Sequence, residues 1–168
     1  MDKRITVLGI GNILNSDEGV GVHAVRAMQV EAHHAPDVAF LDGGTLGLNL
    51  LTPVEGASHL LILDAVDADQ PPGTLIELAK EEIPLFGGVR MSQHQLTFQE
   101  VLGLALIRDK FPGQLCLIGV QPASFEIGTE LSPQVAAVLP CILKRAWDVV
   151  GEWSCQALAF STESNHSS

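Results

Sequence analysis

Five side chains in this chain of 168 residues have the types and places to do chemistry. Asp17 and Glu18 stand together in GIGNILNSDEGVGVHAV, at a glycine-rich bend between an apolar run and a helix-like pattern. Asp42 begins DGGT after VAFL, Asp64 directly follows LLIL, and His94 lies in SQHQLTFQEVL. Two carboxylates and one imidazole from this set make a mixed oxygen and nitrogen donor group. Three protein ligands with one coordination position left open distinguish a working metal site from a closed structural one. Such donors suit zinc, nickel, iron or manganese and do not choose among them.

Each residue also has a purely structural explanation. Asp17 is a good N-cap for the following helix, and Glu18 in a first turn complements the helix dipole. Asp42 in Asp-Gly-Gly fits turn chemistry, and a histidine at a helix start is commonly structural. Asp64 is the hardest to explain this way, because a carboxylate placed after LLIL needs a partner or a cation once desolvated. Gly19 and Gly21 are poor helix formers, at about 1 kcal/mol each. They make better sense where backbone, metal or substrate must come close.

The Gly-x-Gly at Gly9 and Gly11 suggests a dinucleotide fingerprint, but the position of the third glycine holds Leu14. A phosphate would sit at the N-terminus of the next helix, where this chain places Asp17 and Glu18. Two charges within ~4 Å of a phosphate repel it by several kcal/mol. A nucleotide-binding α/β enzyme is therefore the weaker alternative.

The elements that must position these residues alternate between strand and helix. Strands are expected at Arg4 to Leu8, Val38 to Leu41, in HLLILDAV, in PPGTLIEL after a turn, and in GQLCLIGV. HLLILDAV is almost continuously apolar, the pattern of a strand buried on both faces of a parallel sheet. Helices are expected from Glu18 to His33, briefly from Leu46 to Leu51 with a stop at Pro53, from Gln93 to Ile107, and from Ser132–Pro133 to about Trp153. Ser92 and Gln95 have capping-box spacing, and GGVRMSQ before them reads as a glycine-led loop. The expected fold is a three-layer α/β/α sandwich, with a twisted, mostly parallel five-stranded sheet and helices on both faces. Residues 1–153 form one domain, and the polar tail from 154 to 168 is expected to be disordered. In such a sheet the working crevice lies beyond the carboxyl ends of the strands, where the five residues fall.

Composition narrows the function. The net charge is −11, from 20 acidic and 9 basic residues, and no basic cluster offers a face for nucleic acid. No apolar run reaches the ~20 residues of a membrane span. Cys116, Cys141 and Cys155 form no CxxC or zinc-knuckle spacing, and Cys116 reads as a core residue. A soluble cytoplasmic monomer is expected.

The segments GIGNILNSDEGVGVHAV, FLDGGTLG, HLLILDAV, PPGT, SQHQLTFQEVL and LIGVQP occur in this order from Ile5 to Trp147. Together they resemble the hydrogenase maturation endopeptidases, which process the large subunit of nickel-iron hydrogenases. The resemblance implies a metal site of Glu18, Asp64 and His94, with those residues as the catalytic group. It implies removal of a short C-terminal extension from a large-subunit precursor after nickel insertion. Nickel would be supplied by, or shared with, the substrate, and zinc or another divalent ion could take its place. Asp42, Gly43 and Gly44 would shape the substrate groove. Two variants stay open: an aspartic-type mechanism using Asp17 or Asp64 as acid or base, and a nickel- or partner-binding module that does not cut.

Overall fold

A computed structural model describes residues 2–83, 90–91 and 93–163, with 90–91, 93–97 and 156–163 described by backbone alone. The strands are β1 (Ile5–Ile10), β2 (Val38–Gly44), β3 (His59–Asp67), β4 (Leu75–Ala79), β5 (Arg90–Met91) and β6 (Gln114–Val120). The α-helices are α1 (Val20–Val30), α2 (Leu51–Gly56), α3 (Gln93–Ile107) and α4 (Pro133–Glu163). The main sheet has the order β2-β1-β3-β6-β4. β1, β2, β3 and β6 run parallel, and β4 is antiparallel to β6. The two residues of β5 add a short antiparallel ladder to the end of β3.

Alternation along β3 builds two cores. Leu61, Leu63 and Ala65 face α1 and α4, where they meet Val25, Met28, Ile142 and Val149. Leu60, Ile62 and Val66 face α2 and α3, where they meet Val54, Phe98, Val101 and Leu102. Side chains two apart share a face, so one strand serves both layers. That is why β3 reads as uninterrupted apolar sequence and why the three-layer expectation holds.

Several boundaries differ from the sequence reading. β2 continues through Asp42 and Gly43 to Gly44, past the expected end at Leu41: its pairing with β1 resumes beyond a bulge, with Gly9 opposite Asp42 and Ile10 opposite Gly44. The first helix is in three pieces: a 3-10 turn at Ser16–Gly19, α1, and a second 3-10 turn at Ala32–His34. Pro53 does not stop a helix; it sits in the first turn of α2, where its missing N–H costs no intrahelical bond. α4 runs to Glu163, ten residues past the expected end at Trp153. GGVRMSQ and the Ser92–Gln95 capping box lie largely outside the described residues.

The strand order fixes where a site can form. From β1 the chain goes to β2 on one side, then crosses to β3 on the other, so β1 and β3 flank a topological switch point. Their pairing ends at Gly9 opposite Leu63, while β3 continues beside β6 through Asp64 and Ala65. Asp64 is therefore not the last residue of its strand, as the sequence suggested. It is the first residue of β3 beyond the reach of β1.

Candidate active site at the switch point

Asp64 is 2% exposed, and its partner across β6 is Gly119, which places no side chain next to it. By the alternation of β3 it belongs to the face covered by α3. Its Oδ1 accepts the backbone N–H of Ala65 at 2.7 Å, and its Oδ2 is buried with no hydrogen-bond donor among the described residues. Burial pushes the Asp64 carboxyl well above the ordinary carboxylate range; the Ala65 N–H opposes this and the nearby Glu18 carboxylate adds to it. A buried carboxyl beside a second carboxylate takes up either a proton or a cation.

Glu18 is 5% exposed and reaches this place from the 3-10 turn after β1. Asn15 Nδ2 donates to Glu18 Oε2 at 3.2 Å and fixes one end of the carboxylate. Glycines allow the approach. A Cβ on Gly21 would lie 2.0 Å from Leu63 O and 2.7 Å from Ile10 O, so the first turn of α1 rests on the carbonyls of β1 and β3. A Cβ on Gly11, at φ +128°, would lie 1.8 Å from Glu18 O. Gly21 thus serves close backbone approach, as its poor helix propensity implied.

His94 lies in the first turn of α3, four residues before Phe98, whose side chain packs on the Asp64 face of the sheet. The helical repeat puts positions 94 and 98 on one stripe. The His94 side chain lies outside the described residues. Among the described residues no three His, Cys, Asp or Glu side chains gather as a metal set. Glu18 and Asp64 are the two candidates whose electrostatic interaction is visible.

Asp17 is not a helix cap and not a free base. It is fully buried and accepts four hydrogen bonds: from Ala123 N–H at 2.8 Å, Ser124 N–H at 3.1 Å, Ser132 N–H at 2.7 Å and Ser132 Oγ–H at 2.8 Å. It clasps the turn carrying Glu18 to the connection between β6 and α4. Its lone pairs are engaged, which removes it from an aspartic-type mechanism. Asp17→Ala strands buried donors, each worth about 1–3 kcal/mol, so stability falls by at least about 3 kcal/mol. A urea melt of the variant checks this, with an unchanged midpoint as the contrary result.

A phosphate has no place here either, since Asp17 and Glu18 are both buried in the turn that leads into α1. Asp42 projects from the bulged end of β2 and is bound by Arg26, with Nε at 2.9 Å and a second nitrogen at 2.8 Å from Oδ2. A hollow of about 150 Å³ lies between Gly11–Ile13 on one side and Asp42, Gly44 and Thr45 on the other. Gly44 takes φ +44°, and a Cβ on Gly43 would lie 2.8 Å from a methyl of Leu8. Of the three residues expected to shape a groove, Asp42 and Gly44 line this hollow, while Gly43 packs inward.

The remaining candidates stand apart. His23, half-buried on α1, has its pKa lowered by burial and by Arg26. His59 opens β3, at the end of the strand remote from Asp64, with its ring edge-on to Trp153. Cys116 is half-buried on β6, and burial with the charge of Glu77 pushes its thiol up to about 11, far from a nucleophilic thiolate. Cys141 and Cys155 are exposed thiols on α4. Gln121 was missed as a structural residue. Its Oε1 accepts from the Ala68 and Gln70 N–H groups and its Nε2 donates to Asp67, closing the β3–β4 connection beside the site. Its only signal was a buried-strand run ending in a polar residue, in LIGVQP.

Comparison with known proteins agrees with this geometry. A family model described as hydrogenase maturation protease matches residues 22–149. The hydrogenase expression/formation protein HoxM of Cupriavidus necator is 42% identical over 151 residues, covering 89% of this chain and 75% of that protein. The hydrogenase 2 maturation protease of Escherichia coli is 39% identical over 157 residues, covering 92% and 95%. The solved structure of the E. coli hydrogenase maturating endopeptidase HybD superposes with a TM-score of 0.80 at 36% identity, covering 89% of this chain and 93% of that one. HybD from Thermococcus kodakarensis superposes at 0.73 and 25% identity, covering 87% and 98%. This chain belongs to the hydrogenase maturation protease family.

Proposed function

We propose that this protein is the endopeptidase that removes the C-terminal extension of a nickel-loaded hydrogenase large-subunit precursor, and that Glu18, Asp64 and His94 receive the nickel of that substrate. The observation that carries the reading is Asp64: a buried carboxylate oxygen without a described donor, beside a second carboxylate, at the switch point of the sheet. Leaving such a group ionised and alone is costly, and a cation removes the cost. Two oxygens and an imidazole nitrogen fit nickel or zinc. In this reading the protein works as a cytoplasmic monomer, and its charge of −11 favours separation from its own copies.

The chain's part in the reaction is mainly to position. Glu18, braced by Asn15, and Asp64, held through Oδ1 by Ala65 N–H, present fixed oxygens to one side of the substrate's cation. Fixing the scissile segment this way can contribute up to about 7–11 kcal/mol to the rate. A cation so held would also supply Lewis acidity toward a carbonyl or water. Asp64 would hold it as the carboxylate, its proton released to solvent. The hollow between Gly11 and Asp42 receives residues next to the cut, with the Arg26–Asp42 pair at its wall.

The test is incubation with nickel-loaded precursor, followed by intact-mass measurement. Loss of a C-terminal fragment supports the reading; a stable complex with no mass loss assigns a binding module instead. Metal affinity also depends on pH. Asp64, whose carboxyl burial keeps protonated to a higher pH than usual, and the imidazole of His94 must both be deprotonated to ligate, so nickel binding weakens as pH falls. Calorimetric titration between pH 8 and 5 checks this, and a flat affinity across that range contradicts the ligand set.

A further inference from the structure

The edge of the site carries apolar surface that the chemistry above does not use. Leu14 is 57% exposed, Phe125 46% and Ile127 94%. They lie on two loops at the carboxyl end of the sheet, and those loops are locked together. Gly128 N–H donates to Leu14 O at 2.8 Å, Ser16 N–H to Gly128 O at 2.9 Å, and Ser16 Oγ–H to Glu126 O at 2.9 Å. Ser16 holds φ +49° to make these bonds, and Asn15 bridges Gly128 in parallel. Asp17, next in the chain, anchors Ala123 and Ser124. Across the hollow, Leu46 and Leu48 are 54% and 61% exposed on the connection that follows β2.

Large apolar side chains held in water by a rigid frame mark an interaction surface. This one is continuous in sequence with Glu18: Leu14 is four residues before it. Exposed Glu126 and Glu130 border the patch. A second copy of this chain would bring the same acidic border and another charge of −11, so self-association is opposed. We propose that the platform of Leu14, Phe125 and Ile127 docks the folded body of the precursor, on an apolar patch flanked by Lys or Arg, while the extension enters the site. This rests on the function proposed above and adds a binding surface separate from the ligands.

The experiment compares Leu14→Asp and Ile127→Asp with Val30→Asp. Val30 is 79% exposed at the far end of α1 and serves as the control. Affinity for nickel-loaded precursor is measured by biolayer interferometry, processing by intact mass, and self-association by analytical ultracentrifugation. The expected result is binding weakened roughly tenfold or more by each platform variant, KM raised with kcat kept, and Val30→Asp unchanged. Circular dichroism melts matching the wild type show that the fold is intact. Wild-type affinity in the platform variants overturns the inference while leaving processing by the wild type untouched. A wild-type dimer dispersed by Ile127→Asp also overturns it, because the occupant is then a second copy. Failure of the wild type to bind or cut the precursor overturns both readings.

Discussion

Asp64→Asn slows processing by about two orders of magnitude and, in the metal-free protein, raises the melting temperature at pH 8. The two effects share a cause. Asp64 is desolvated and lies in the field of Glu18, so the folded state holds its proton to a higher pH than the unfolded chain does. As pH rises above the ordinary aspartate value near 3.9, the unfolded state releases this proton and the folded state keeps it, so stability falls. The loss continues until the raised folded value is reached. Asn carries no charge to desolvate or to be repelled by the Glu18 carboxylate. The stability advantage of the variant is therefore largest at pH 8 and shrinks toward pH 4. Catalysis moves the other way. If one ligand carries a third of the ~7–11 kcal/mol available from positioning, its loss slows processing by roughly fifty- to five-hundredfold. Thermal melts at pH 4 to 8 and timed processing assays read both. A variant that melts lower at pH 8, or that still cuts at the native rate, contradicts the role given to Asp64.

Gly21→Ala has a large expected structural effect. The added methyl would stand 2.0 Å from Leu63 O and 2.7 Å from Ile10 O, both backbone atoms of central strands. Neither can swing aside as a side chain could. Overpacking in a core costs about 1–3 kcal/mol and more where the backbone must move, so a loss of about 3 kcal/mol or more is expected. For a chain of this size that lowers the melting temperature by roughly 6–12 °C. Lifting α1 also carries the preceding turn and Glu18 away from Asp64, so metal affinity and processing fall with stability. Gly56→Ala is the internal control, since nothing lies within 4 Å of its added Cβ. A Gly21→Ala protein that melts within 2 °C of the wild type contradicts the close packing described.

The parts of this molecule that could be read from sequence are those fixed by local pattern. HLLILDAV announces a strand buried on both faces, and the carboxylate that follows LLIL announces a desolvated group; the fold shows both the strand and the burial. Gly21 announced a close approach, and the carbonyls of Leu63 and Ile10 are what it approaches. What pattern could not reveal depends on residues far apart in the chain. Asp17 reads as a cap because the donors that claim it come from Ala123, Ser124 and Ser132, more than a hundred residues later. Asp42 reads as a turn acid because neither the bulge opposite Gly9 nor the Arg26 guanidinium is visible locally. Asp64 reads as a strand end because the sequence does not say that β1 stops first. The switch point itself follows from strand order, a property of the assembled sheet rather than of any segment.

The claim on which the account depends is that Glu18, Asp64 and His94 share one cation. Crystals of the protein soaked with Ni²⁺ or Zn²⁺, with data collected at the absorption edge of the metal, test it directly. The account predicts one anomalous peak at the switch point, at about 2.0–2.2 Å from a Glu18 oxygen, Asp64 Oδ2 and a His94 ring nitrogen. A peak bound by other residues, or a His94 ring directed away from the two carboxylates with no metal between them, would contradict it.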